Sequence, residues 1–221
     1  MTIVKKHIIL ALILILSVSN LIGQETKETS KYYKKMKSSL YTLYKAGNYE
    51  TYNMMARQIR KIAEEEETKW IPYYHSAYGY IMKAYLAKEK YDIEESLNQA
   101  QLMLDKAKEL YPGSDEISAL QGFLYQARIK FDPRHRSIEY TRKAMKEYDH
   151  ARFLNKNNPR PYYLIGQLLY RMPEQIGGNK ENACKHFKQA QEKFKAFTPK
   201  SEFSPNWGEQ ANEIMLNKCK K

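Results

Sequence analysis

The sequence predicts an all-α protein made of stacked helical hairpins and closed by a C-terminal capping helix. Three observations carry this. Helix-favouring Ala, Leu, Lys, Glu and Gln are frequent, Val and Thr are sparse, and no window alternates at period two for long. Pro and Gly gather at a few breaks: Gly47, Pro72, Pro112-Gly113, Pro133, Pro159, Pro161, Pro173, Gly177-Gly178, Pro199 and Pro205. A small-large-small pattern also recurs, at Ala100-Leu104-Ala107, Ala144-Tyr148-Ala151 and Ala183-Phe187-Ala190, with steps of 44 and 39 residues. A degraded copy, Ala56-Arg60-Ala63, lies 44 residues upstream of the first. Gly79, Gly122 and Gly166 mark the preceding helices at steps of 43 and 44. Two markers at one period indicate an internal repeat.

The leading stretch "MTIVKKHIILALILILSVSNLIG" places Lys5 and Lys6 before an unbroken apolar run, Ile8 to Leu16, followed by small residues. That is the layout of a secretory signal peptide, residues 1–23. An uncleaved N-terminal anchor is the other reading, although the run is shorter than the roughly 20 apolar residues a membrane span needs. Cleavage falls after Ser19 or after Gly23, and no Cys lies near either site to carry a lipid. The remainder, 24–221, is one helical repeat domain with no further apolar run long enough to span a membrane. Its formal charge falls from +12 to +10 when Lys5 and Lys6 leave. A basic exported chain excludes most nucleic-acid roles, and Lys-rich helix faces read first as solvated surface.

The hairpin units fall at about 30–66, 70–112, 115–158 and 160–197, with the capping helix at 205–219. Two Ala seven apart with a bulky residue between them share one helix stripe. The small side chains let a partner helix approach, and a Gly on the preceding helix does the same from the other side. One hairpin cannot bury its apolar face alone, so units stack.

These features resemble the tetratricopeptide repeat. "SALQGFLY" supplies Gly122 and Tyr125 of its first helix, and Pro112 follows Ala107 by five, where the motif places its closing Pro. "YYLIGQLLY" with "ACKHFKQA" forms the next unit, and "AGNYETY" is similar to the inter-helix turn. The resemblance spans about 30–219 and implies an α-solenoid. The departures are longer inter-helix loops and Arg60 interrupting the first stripe. The stretch "NPRPYYLIGQLLYRMPEQIGGNKENACKHF" also resembles secreted repeat proteins of Bacteroidota.

No catalytic motif is present. "MPEQIGGNKENACKHF" lacks the strand and the Lys-Ser/Thr pair of a phosphate loop, so it reads as a turn, with Gly178 closing it and Asn179 capping the next helix. The histidines beyond the leader (His75, His135, His150 and His186) form no HExxH, and Cys184 with His186 point to different helix faces. Asp132 and His135 in "FDPRHRS" read as a turn rather than a metal site. No catalytic residue, metal or cofactor is expected.

Nineteen Tyr either pack helices or line a surface. With Gly79, Gly122 and Gly166 aligned, the partner-binding concave face would carry Tyr73, Tyr80 and Lys83, then Glu116, Phe123 and Gln126, then Tyr163, Gln167 and Tyr170. Cys184 and Cys219 are the two cysteines. Each lies about 18 Å from the last interhelix turn at 1.5 Å per residue. Antiparallel helices would bring them level, so they are either a disulfide or two buried thiols.

The expectation is a periplasmic or secreted, non-enzymatic scaffold that docks a protein or peptide partner of the envelope, with no nucleic acid. The alternative is a small-ligand-binding accessory of an envelope transport system. An enzyme with a site assembled from isolated residues is the third reading.

Overall fold

The computed structural model describes residues 30–130 and 132–220. The expected signal peptide lies outside the described residues. The chain divides after Ser38. The described part of the first unit, residues 30–38, is helical, and this helix, α1, ends at residue 45. The second unit continues with α2 (Tyr49–Glu65), α3 (Trp70–Leu86), α4 (Lys90–Leu110), α5 (Asp115–Ile129), α6 (Pro133–Leu154), α7 (Pro159–Arg171), α8 (Lys180–Ala196) and α9 (Glu209–Cys219).

Helix starts follow local chemistry. The side chains of Asn48, Ser114, Asp132, Asn158 and Asn179 each accept a backbone N–H of the first turn of α2, α5, α6, α7 and α8. Pro133 and Pro159 occupy first-turn positions, where a missing N–H costs nothing.

Helices pack as consecutive hairpins: α3 with α4, α5 with α6 and α7 with α8, while α2 also packs on α3 and α9 lies on α8. The first helices α3, α5 and α7 adjoin in series and form an inner side. Among the described residues, no helix is long and apolar enough to cross a membrane.

The recurrent small and bulky residues form the core. Ala100, Leu104, Ala107, Ala144, Tyr148, Ala151, Ala183, Phe187 and Ala190 are all buried. A Cβ on Gly122 would meet the Tyr148 ring at 2.4 Å, and one on Gly166 would meet the Phe187 ring at 2.6 Å. Gly79 departs from this pairing. Its nearest neighbour is Ala56 of α2, at 3.0 Å, so it serves the contact with the preceding hairpin rather than its own.

The extra length expected in the inter-helix loops lies elsewhere. Only residues 87–89 separate α3 from α4, and only 130–132 separate α5 from α6. The added residues extend the second helices, of 21 and 22 residues in α4 and α6, because Lys, Glu and Gln continue a helix as readily as a loop. The 172–179 connection is longer. A short 3-10 turn, Glu174–Ile176, precedes Gly177 at φ +99°, and a Cβ on Gly178 would fall 1.9 Å from the Met172 carbonyl oxygen. Cys184 and Cys219 form a disulfide with Cα atoms 5.8 Å apart, tying α9 to α8.

Candidate functional site

The inner side is occupied by the chain itself. After α8, residues 197–208 run back along the first helices before α9 begins. The Phe203 carbonyl accepts from His75 Nε2 at 2.8 Å, and the Pro205 carbonyl accepts from Arg160 Nη2 at 2.5 Å. The Trp207 indole donates to Tyr74 Oη at 2.9 Å. Its ring stacks on Tyr78 at 5.2 Å and on Phe123 at 5.7 Å, and Phe123 stacks on Tyr85 at 5.4 Å. Arg160, fully buried, donates to Glu116 Oε1 at 2.7 Å and lies over the rings of Phe197 and Trp207. Burial pushes the Glu116 carboxyl up to about 7, with Arg160 pulling the other way.

An open concave groove is therefore not what these residues present. Phe123, Tyr163 and Gln167 line a small inner cleft of 210 Å³ beneath Trp207, together with Arg171. Gln126 accepts from Tyr148 Oη at 2.8 Å and donates to Gln167 at 3.4 Å, and Gln167 donates to Tyr163 Oη at 2.5 Å. Tyr73, Tyr80 and Lys83 are buried, and the last two face α2: Lys83 lies over the Tyr49 ring at 5.2 Å, and the Arg60 guanidinium favours the ionised form of Tyr80 against the upward pull of burial. Tyr170 packs toward α8, 6.3 Å from Phe187 and under Lys180.

A second, apolar cavity of 680 Å³ opens between α5, α6 and α7. Its walls are Tyr85, Ile129, Pro133, Leu168 and the connection residues Met172, Pro173 and Ile176. Lys130, Arg134 and Arg171 line it, and among the described residues no carboxylate does. Among the described residues no ion pair engages Arg134 or Arg171. Lys130 Nζ donates to the Tyr85 carbonyl at 2.6 Å and sits 5.4 Å from the Tyr85 ring. The Tyr85 hydroxyl is buried without a hydrogen-bond partner, and burial pushes its pKa up to about 12. Thr141 Oγ1 donates to Met172 Sδ at 3.7 Å. The Gly-Gly turn thus has a second task. It folds Met172, Pro173 and Ile176 into a wall, and no local sequence signal announces this.

Asp132 caps α6 and also meets His135 Nδ1 at 2.9 Å. Among the described residues, no group of three or more His, Cys, Asp or Glu is placed to hold a metal ion.

His75 provides a pH test. It is fully buried, its Nδ1 accepts from Tyr44 Oη at 3.0 Å, and burial pulls its pKa down to about 4. An ordinary His near 6.5 in the unfolded chain then binds the extra proton, so this group's stability contribution is present above about 6.5 and lost as pH falls toward 4. Glu116 acts oppositely: its raised pKa favours the folded state at low pH, and that contribution fades as pH rises from 4.5 to about 7. Thermal melts of His75→Gln against the parent should show a difference that changes across pH 6.5 to 4, with a slope approaching about 1.4 kcal/mol per pH unit. Parallel curves across that window would contradict the assignment.

No family model and no curated protein matches the chain. Among solved structures it is similar to the HusA haemophore from Porphyromonas gingivalis, at 28% sequence identity and a TM-score of 0.77, over 86% of this chain and 92% of that one.

Proposed function

We propose that this protein is an exported, non-enzymatic binder of a haem-class ligand, held in the cavity between α5, α6 and α7. One observation carries the reading: an apolar cavity of 680 Å³ bordered by Lys130, Arg134 and Arg171 and, among the described residues, by no acid, in a fold similar to that of a haemophore. The volume lies within the roughly 300–1,000 Å³ typical of small-ligand pockets. A porphyrin is a flat apolar ring carrying two carboxylates, so its macrocycle suits Ile129, Leu168 and Ile176 while its carboxylates suit the guanidinium groups. The leader and the disulfide support export. The Gly122–Tyr148 and Gly166–Phe187 contacts support a tetratricopeptide-like register for the last two hairpins. The ligand-binding reading is favoured over a peptide-docking scaffold because residues 203–208 already occupy the inner side.

Titration of the mature protein with haemin, followed by the Soret band, tests this. Binding should shift the band and saturate. Joint Arg134→Glu and Arg171→Glu replacement should weaken binding by about 100-fold, since each reversed charge near a bound carboxylate costs on the order of 1–2 kcal/mol. Among the described residues no imidazole lines the cavity, so iron-free protoporphyrin IX should bind within about tenfold of haemin. Absence of any shift, or equal binding by the double variant, would overturn the proposal.

A further inference from the structure

A larger cavity of 780 Å³ lies at the opposite end of the same first helices and differs in chemistry. It is bounded by the start of α3, the α4–α5 and α6–α7 junctions, the end of α8 and the segment 198–205. Trp70 and Tyr111 form a flat pair there, with ring centroids 5.1 Å apart and planes at 14°. Around them stand hydroxyl, amide and carboxyl groups, including Ser114, Asn155 and Asn157. Most of the charges present are engaged inside the protein, and Lys200 acts on Glu116 only through its field. Asp115 Oδ2 accepts from Asn155 and Asn158, Glu192 pairs with Lys195, and Lys193 lies over the Tyr162 ring. One acceptor is left over: Glu116 Oε2 is buried with no hydrogen bond at bonding distance, the Asn158 amide standing only near enough to favour its charge, while Oε1 holds Arg160.

A dianion finds little here, because three carboxylates and two lysines line the cavity. A simple apolar ligand would leave Glu116 Oε2 without a donor and would lie against a rim of hydroxyls and amides, at a desolvation cost. The combination fits a neutral molecule with one apolar face and many hydroxyls. We infer that this cavity is a second ligand site that takes a neutral saccharide, its ring face on the Trp70–Tyr111 pair and its hydroxyls toward the Glu116 end. In this arrangement a ligand hydroxyl donates to Glu116 Oε2 and accepts from the surrounding amides, so the buried lone pair gains its partner. The site is separate from the porphyrin cavity, with which it shares no lining residue.

The chain has two tryptophans, and Trp207 is buried, so Trp70 is the accessible reporter. The test uses the full mature protein with glucose, galactose, N-acetylglucosamine, maltotriose and chitotriose. Binding is read by tryptophan fluorescence and by ligand-observed saturation-transfer NMR. At least one sugar should bind, and Trp70→Ala should weaken it at least tenfold while the far-ultraviolet circular dichroism stays unchanged. Tyr111→Ala, at a half-exposed position, supplies the same readout should Trp70→Ala fail to fold. Haemin, where it binds the parent, should bind both variants as it binds the parent. The proposal falls if none of the five sugars gives a signal, if the affected sugar binds both variants equally, or if tetramethylammonium competes it off, which would mark a cation site instead.

Discussion

Arg160→Met should lower the unfolding free energy by about 3–5 kcal/mol, the usual cost of removing one partner of a buried ion pair. The reasons are specific. Arg160 is fully buried, and Glu116, left without it, keeps a buried carboxyl with one oxygen already unpartnered. The Pro205 carbonyl loses its donor, and the rings of Phe197 and Trp207 lose the cation between them. Met fills a similar volume, so the cost reports the charge and the lost hydrogen bonds rather than a void. Urea unfolding measures it. A companion Glu116→Gln, Arg160→Met double variant should recover part of the loss, because the stranded carboxylate is gone. A single variant within about 0.5 kcal/mol of the parent would show that Arg160 does not hold the 197–208 segment, since surface-like substitutions fall in that range.

Cys219→Ser should cost about 3–4 kcal/mol under oxidising conditions, the chain-entropy value for a loop of this size. The bond closes a separation of 35 residues that includes the whole 197–208 segment, so its loss frees the denatured chain and loosens the anchor of α9 together. Met215 and Asn212 of α9 are buried, and Asn212 Nδ2 donates to the Phe187 carbonyl at 3.1 Å, so α9 keeps some hold without the bond. Thermal melts of parent and variant, each with and without reductant, separate the contributions. The parent in reductant should fall to the level of the variant, and the variant should not respond. A variant as stable as the oxidised parent would reject the entropic account.

Much of this was legible along the chain because it is periodic or local. The Ala-large-Ala stripes repeat, and the Asn48, Ser114, Asn158 and Asn179 caps sit next to the helices they start, so sequence neighbours become contacts. The site was less legible. Lys130 and Arg134 stand on either side of one helix start and Arg171 ends another helix, so no spacing rule links the three. Both "FDPRHRS", with Arg134, and "MPEQIGG", with Met172 and Ile176, read as turns along the chain, and it is the joint placement of these residues around Leu168 that makes a cavity. Tyr73, Tyr80 and Lys83 are buried, and Gly79 of the same helix packs against Ala56 of another hairpin, a distinction from Gly122 and Gly166 that identical residue letters do not carry.

The all-α class, the helical hairpins and the small and bulky residues that fill the core can be read along the chain, since each depends on period and on residues close in sequence. The return of residues 203–208 to the inner side is visible only in the assembled stack, with 128 residues between the partners of the Phe203–His75 contact and 133 between those of the Trp207–Tyr74 contact. Contacts at such separations depend on how every intervening hairpin is turned, and a small rotation in any one of them would send Trp207 elsewhere. The cavities on either side inherit that dependence, because their walls come from helices that meet only when the stack is complete.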